Sequence, residues 1–157
     1  MGNFTAKLAK KVSNKAGATF WIKKTITSSG ITVAHQNLSN AASGDLAIKQ
    51  VILQSDTTGI VGPTNFELAV DNGNGLLIFA STAVSGLATS AKTKALIAGS
   101  DDSTGDNFLT VVGVPTVLEA GKKITFGGTS AAGTGAGTVK VYIQLERVDE
   151  NASLLAV

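Results

Sequence analysis

Between Thr138 and Glu146 the side chains alternate without a break, with Val139, Val141, Ile143 and Leu145 on one side and Thr138, Lys140, Tyr142, Gln144 and Glu146 on the other. A period of two fits an extended strand with one buried face, and it fits no helix, whose faces recur every 3.6 residues. Such a strand cannot stand alone: its apolar side must be covered by further strands or a second layer.

The chain supplies candidates. From Ala18, Phe20, Ile22 and Ile26 alternate with Trp21, Lys23 and Thr25, and Lys24 interrupts the buried side, either by snorkelling to an edge or at a bulge. Ser28-Ser29-Gly30 reads as a turn into a second strand through Ile31 and Val33, with a loop over residues 37–44. Asp45 to Gln54 is a longer strand whose phase changes near Gln50, as a bulge would cause, and Asp56-Thr57-Thr58-Gly59 with Gly62-Pro63 closes it. Asn65 to Val70 alternates through Phe66, Leu68 and Val70. The run Asp71-Asn72-Gly73-Asn74-Gly75 then turns it into a returning strand, Leu76 to Ser81, because Asn and Gly tolerate the positive φ that hairpin turns need. Residues 83–98 read as mostly extended, although Val84, Leu87, Ala91 and Leu96 also fit a short helix. Further strands are expected at Phe108 to Val112, Thr116 to Leu118 and Ile124 to Phe126, with a tight turn at Glu119-Ala120-Gly121-Lys122 and a flexible, glycine-rich surface loop over 127–137.

About eight short strands punctuated by turns, with no crossover helices, predict an all-β fold: an antiparallel, jelly-roll-like β-sandwich over residues 18–148. An extended basic arm (1–17) precedes it and a short apolar tail (149–157) follows. At 157 residues one domain can bury about 70% of the surface of the unfolded chain. With no cysteine, packing and backbone hydrogen bonds must hold it, which suits a reducing compartment. No apolar run approaches the roughly 20 residues of a membrane-crossing helix, no apolar segment follows the basic start as in a secretory signal, and Ala6 stands where a myristoylation pattern wants Ser or Thr. No membrane partner is expected.

Charge is unevenly placed. Residues 1–24 hold six lysines (Lys7, Lys10, Lys11, Lys15, Lys23 and Lys24) and no acid, so the rest of the chain, with seven basic and eleven acidic residues, carries a net charge of about −4. The arm is either a solvated tail or a segment that lies on an acidic neighbour.

Catalysis requires convergent groups, and few are supplied. His35 is the sole histidine and has no Gly-x-Ser-x-Gly elbow to serve, so it is expected to be a loop or strand-edge residue, with no enzyme activity and no cofactor. One histidine and no cysteine make a structural zinc site improbable on chemical grounds, and no metal site is expected; Asp101, Asp102 and Asp106 offer the hard oxygens that calcium favours, without EF-hand spacing. The glycine run 127–137 lacks the Gly-Lys-Ser/Thr ending of a phosphate loop and leads into a strand. A single arginine, Arg147, and aromatics scattered outside the basic cluster give no motif for specific nucleic-acid recognition.

What remains is a surface protein: a basic arm, a small-residue β-domain, long loops and an apolar tail at Leu154-Leu155-Ala156-Val157 that could complete an interface. The stretch Thr57-Thr58-Gly59-Ile60-Val61-Gly62-Pro63-Thr64-Asn65-Phe66 and the closing Gly135-Ala136-Gly137-Thr138-Val139-Lys140-Val141-Tyr142-Ile143 resemble small accessory virion proteins of tailed bacteriophages, over about residues 45–148. The resemblance implies a β-sandwich that decorates or cements a capsid, often as a trimer at symmetry axes, on the surface of a virion assembled in the host cytoplasm. It gives no individual residue a role. The expected partners are then a major capsid protein and sibling copies in a homo-oligomer. Lys7, Lys10, Lys11 and Lys15 would meet acidic patches, and Leu154, Leu155 and Val157 would act as tail contacts. The other class consistent with these residues is a receptor- or glycan-binding knob of a fibre or tail, with Trp21 or Tyr142 as contact residues.

Overall fold

The computed structural model describes residues 14–71, 73, 75–84 and 117–154 together with the backbone of 93–97. Among them are nine strands: β1 (Thr19–Thr27), β2 (Gln36–Asn37), β3 (Leu46–Ser55), β4 (Asn65–Asp71), β5 (Leu76–Ala83), β6 (Thr93–Ile97), β7 (Val117–Leu118), β8 (Lys123–Gly128) and β9 (Thr138–Arg147). They form two sheets, one ordered β1-β9-β3-β6 with β7 also on β3, the other ordered β2-β8-β4-β5, and every pairing is antiparallel.

The order follows from rolling up one long hairpin. Its tip is the β4–β5 pair; then β3 pairs with β6 and β7, β2 with β8, and β1 with β9, each pair falling in the opposite sheet from the one before. The roll is closed by β9 pairing with β3 and β8 pairing with β4. This is the double Greek-key, jelly-roll arrangement, in agreement with the expectation from sequence.

β9 lies inside its sheet, between β1 and β3, and its Val139, Val141, Ile143 and Leu145 are all buried, which is why its alternation is so regular. Opposite them lie Leu68, Ile124 and Phe126 of the second sheet within one continuous apolar core, where the Phe66 and Phe126 rings stack at 6.4 Å. The phase change in β3 is real: the register with β9 slips between Ile48 and Gln50. Lys24 needs no bulge, because β1 pairs with β9 without interruption from Thr19 to Thr27. It sits half-buried on the core-facing side of an edge strand, where its stem can reach out.

Two expectations are corrected. Ile31 and Val33 form no strand. A 3-10 turn (Ser28–Gly30) carries the chain across one end of the sandwich, Ile31 drops fully into the core, and Val33 is left exposed; pairing resumes only at Gln36. The glycine-rich segment is no loose surface loop. Its first two glycines belong to β8, and the remainder is bonded to its own chain: Gly133 N–H donates to Ile31 O (2.8 Å), Thr134 N–H to Val61 O (2.9 Å), and Ser28 N–H to Gly137 O (2.7 Å). A Cβ on Gly133 would collide with the Ser28 carbonyl oxygen, and one on Gly137 with that of Gly59, so these glycines permit backbone-to-backbone packing. The strand expected at Phe108 to Val112 lies outside the described residues.

Candidate functional site

The outer face of the larger sheet collects the aromatic groups singled out by sequence. Side chains at odd positions of β1 point away from the core, and the register places Trp21 beside Gln144 and Lys23 beside Tyr142, with Ile52 of β3 on the far side of Tyr142. Trp21 is 47% exposed, Tyr142 is half-buried between its neighbours, and the Lys23 ammonium stands 5.5 Å from the Tyr142 ring centroid. Trp21 and Tyr142 thus share one face in adjacent rows. At its lower margin Lys49 pairs with Glu146 (3.5 Å), while on the core-facing side of the same end Arg147 stacks on Phe20 at 4.3 Å.

The basic segment enters at the end of this sheet. Lys15 is exposed in a turn that precedes β1, and the turn is tied to the C-terminal stretch: Asn151 N–H donates to Asn14 O (2.8 Å) and Gly17 N–H to Arg147 O (2.7 Å). Lys7, Lys10 and Lys11 lie outside the described residues, as do Leu155, Val157, Asp101, Asp102 and Asp106. Leu154, expected as a tail contact, is 5% exposed and packs with Ala152 in the chain's own core, because Ser43 and Ser153 zip the tail to the loop before β3 (Ser153 N–H to Ser43 Oγ, 2.8 Å). It is therefore withdrawn from any partner.

His35 has surroundings that sequence spacing could not show. It lies in the loop before β2, as expected, but its ring is buried flat on Gly127, where any Cβ would meet the imidazole. Its Nδ1 is 3.2 Å from Thr125 Oγ1 and its Nε2 is 3.6 Å from the Glu67 carboxylate. Histidine, carboxylate and hydroxyl match a hydrolytic relay only in composition. Thr125 is buried (3% exposed), and its Oγ1 also lies 3.4 Å from Ala69 O, so no substrate can reach it. The three residues fasten the β1–β2 connection onto β8 and β4. They are 32 to 90 positions apart in sequence, and the sole local hint was the glycine at 127.

A shallow hollow of about 260 Å³ lies where β3 ends and β9 begins, lined by Gln54, Ser55, Asp56, Thr57, Thr138 and Lys140. Its one carboxylate is already engaged: Asp56 accepts from Gly59 N–H (2.8 Å), Thr58 N–H (3.0 Å), Thr138 N–H (3.0 Å) and Thr138 Oγ1 (3.0 Å). The Gly59 bond foremost, then those from Thr138 and Thr58, holds its pKa below the usual carboxylate value against the opposing effect of desolvation. Among the described residues no three His, Cys, Asp or Glu side chains come together as a metal site, and no helix is long and apolar enough to cross a membrane.

No family model matches the chain, and no curated protein matches it. Solved structures with a similar fold include the acid-stable capsid of Helicobacter pylori bacteriophage KHP30 (12% identity, TM-score 0.48, covering 90% of this chain and 94% of the other). Others are the capsid asymmetric unit of cyanophage Pam1 (19%, TM-score 0.44, 84% and 86%) and the nucleoplasmin-like N-terminal domain of Drosophila FKBP39 (11%, TM-score 0.36, 83% and 92%). At these identities the likeness concerns the fold alone.

Proposed function

We propose that the chain is a structural protein of a virion, and that it decorates or cements a phage capsid by binding the major capsid lattice and sibling copies. The observation that carries this is the division of labour within the jelly roll. Among the described residues the core, both ends and the one histidine cluster are spent on holding the fold, while the outer face bearing Trp21, Lys23, Tyr142 and Ile52 is given no such task. Cementing needs little chemistry. Weak contacts repeated over a lattice gain by avidity, and a basic segment seeks acidic surface.

Two features of the sequence add to this support: the resemblance over residues 45–148, and the concentration of six lysines with no acid in the first 24 residues. The deletion that tests the arm should remove residues 2–13, because Asn14 to Gly17 are bonded to the C-terminal end and belong to the folded unit. Purified protein is expected to co-sediment with undecorated particles, and the deletion is expected to weaken that binding in a salt-sensitive way. Binding unchanged by the deletion would remove the arm from the mechanism, and absence of co-sedimentation would remove the capsid.

A further inference from the structure

β1 is the outermost strand of its sheet: nine residues, free of proline and bulge, paired with β9 on one side and with no described residue on the other. Which of its backbone groups face the open side can be derived. Arg147 N–H donates to Ala18 O (2.9 Å) and Ser28 N–H to Gly137 O (2.7 Å), and both pairs continue the β1–β9 register. In an antiparallel ladder alternate residues exchange hydrogen bonds with the partner, so the even residues from Ala18 to Ser28 bond to β9. The N–H and C=O groups of Thr19, Trp21, Lys23, Thr25 and Thr27 are directed to the open edge, a template for another strand.

We propose that this edge pairs with β1 of a second copy about a two-fold axis, joining the larger sheets of two protomers into one continuous sheet. Pairing chemistry selects the register. Setting Lys23 opposite Lys23 of the second copy puts like charges face to face, which is unfavourable. Moving by one ladder step to centre the axis on Ile22 removes the clash. Trp21 then faces the partner's Lys23, Thr19 faces the partner's Thr25, Phe20 faces the aliphatic stem of the partner's Lys24, and Ile22 meets its own counterpart. Each pair is apolar, hydroxyl to hydroxyl or cation to aromatic ring, and the two-fold repeats it. Lys23 already leans on Tyr142 at 5.5 Å, so the partner's Trp21 supplies a second ring beside the same ammonium, covering an indole that is otherwise 47% exposed. The lysines thereby do two things: they disfavour the register centred on Lys23 and stabilise this one. The contact specifies how the sibling copies of the proposed function meet, but no capsid is needed for it, so its test is independent of capsid binding.

The test is the mass of the full chain by sedimentation equilibrium at about 100 micromolar, with two variants. Twice 15.8 kDa is expected for the unaltered chain. Thr25→Pro removes one N–H on the open side without touching the β9 ladder, and Trp21→Lys puts lysine opposite the partner's Lys23 at two symmetric places. Each is expected to weaken association by about tenfold or more while leaving the circular dichroism spectrum unchanged, and Trp21→Lys decides the matter if Thr25→Pro fails to fold. A monomeric parent, or a dimer indifferent to the variants, overturns the proposal. So does a monomer that dimerises only when residues 2–13 are removed, since the chain's own start would then be the occupant of the edge.

Discussion

The two ends of the sandwich are closed by different means. At the end where β1 leads to β2, β3 to β4 and β8 to β9, backbone lies directly on backbone: Gly133 under Ser28, Gly137 under Gly59, Gly62 under Ala132. Asp56 supplies the one charge among residues 28–34, 56–64 and 129–137. At the opposite end, where the chain enters and leaves, side-chain ties supplement the backbone hydrogen bonds. Asp45 Oδ1 accepts from Ala120 N–H (2.9 Å), Asp149 Oδ2 accepts from Asp45 N–H (2.9 Å), and Ser43 meets Ser153. Close backbone approach tolerates no added atom, whereas a side-chain tie can be lost one bond at a time. The glycine end should therefore be brittle and the terminal end forgiving.

The largest effect is expected from Gly137→Ala, whose new methyl would strike the Gly59 carbonyl oxygen, a backbone atom rather than the end of a flexible side chain. Destabilisation of about 3 kcal/mol in urea unfolding is expected, and a change within error would show that the glycine end yields. Asp45→Ala removes the acceptor for the Ala120 N–H at the forgiving end and should cost about 1 kcal/mol, read in the same way.

Asp56 sharpens the contrast through pH. Its folded-state pKa lies below its unfolded value, so the unfolded chain takes up the proton first. Its stabilising contribution is therefore complete above the unfolded value, about 3.9, and is lost as pH falls through the folded one. Asp56→Asn should flatten the acid limb of the stability curve and leave neutral behaviour less affected; an unchanged acid limb would place the sensitivity on other carboxylates. The smallest effect belongs to Gly30→Ala, at the brittle end but with nothing within 4 Å of the new methyl and no positive φ. Stability should rise by about 0.5 kcal/mol by restricting the unfolded chain, and a large loss would mean that the whole end is intolerant rather than the glycines at close approach.

Much of the fold was legible in the residues themselves. β9 announced itself by alternation because it is flanked on both sides and buried on one face. The β3 bulge appeared as a phase change at Gln50, and the β4–β5 hairpin was signalled by Asp71 to Gly75, with Gly73 and Gly75 at positive φ. The strand mistaken at Ile31 and Val33 shows where local pattern fails: Ile31 is apolar because it plugs the end of the sandwich, a tertiary reason that alternation cannot express. The glycine segment misled in the same way, since composition reports freedom and only the fold reveals that Ser28 and Gly59 need the space. Of the candidate site, the exposure of Trp21 and its shared face with Tyr142 followed from strand parity. The pairing of His35 with Glu67 and Thr125, and the loss of Leu154 to the core, depended on contacts between distant parts of the chain.

The measurement that bears most directly on the account is electron microscopy of undecorated particles mixed with the purified chain. Density for one jelly roll at repeated, symmetry-related lattice positions, absent from particles alone, is the result predicted. Bare particles at saturating protein, with the chain folded and in solution, would contradict it.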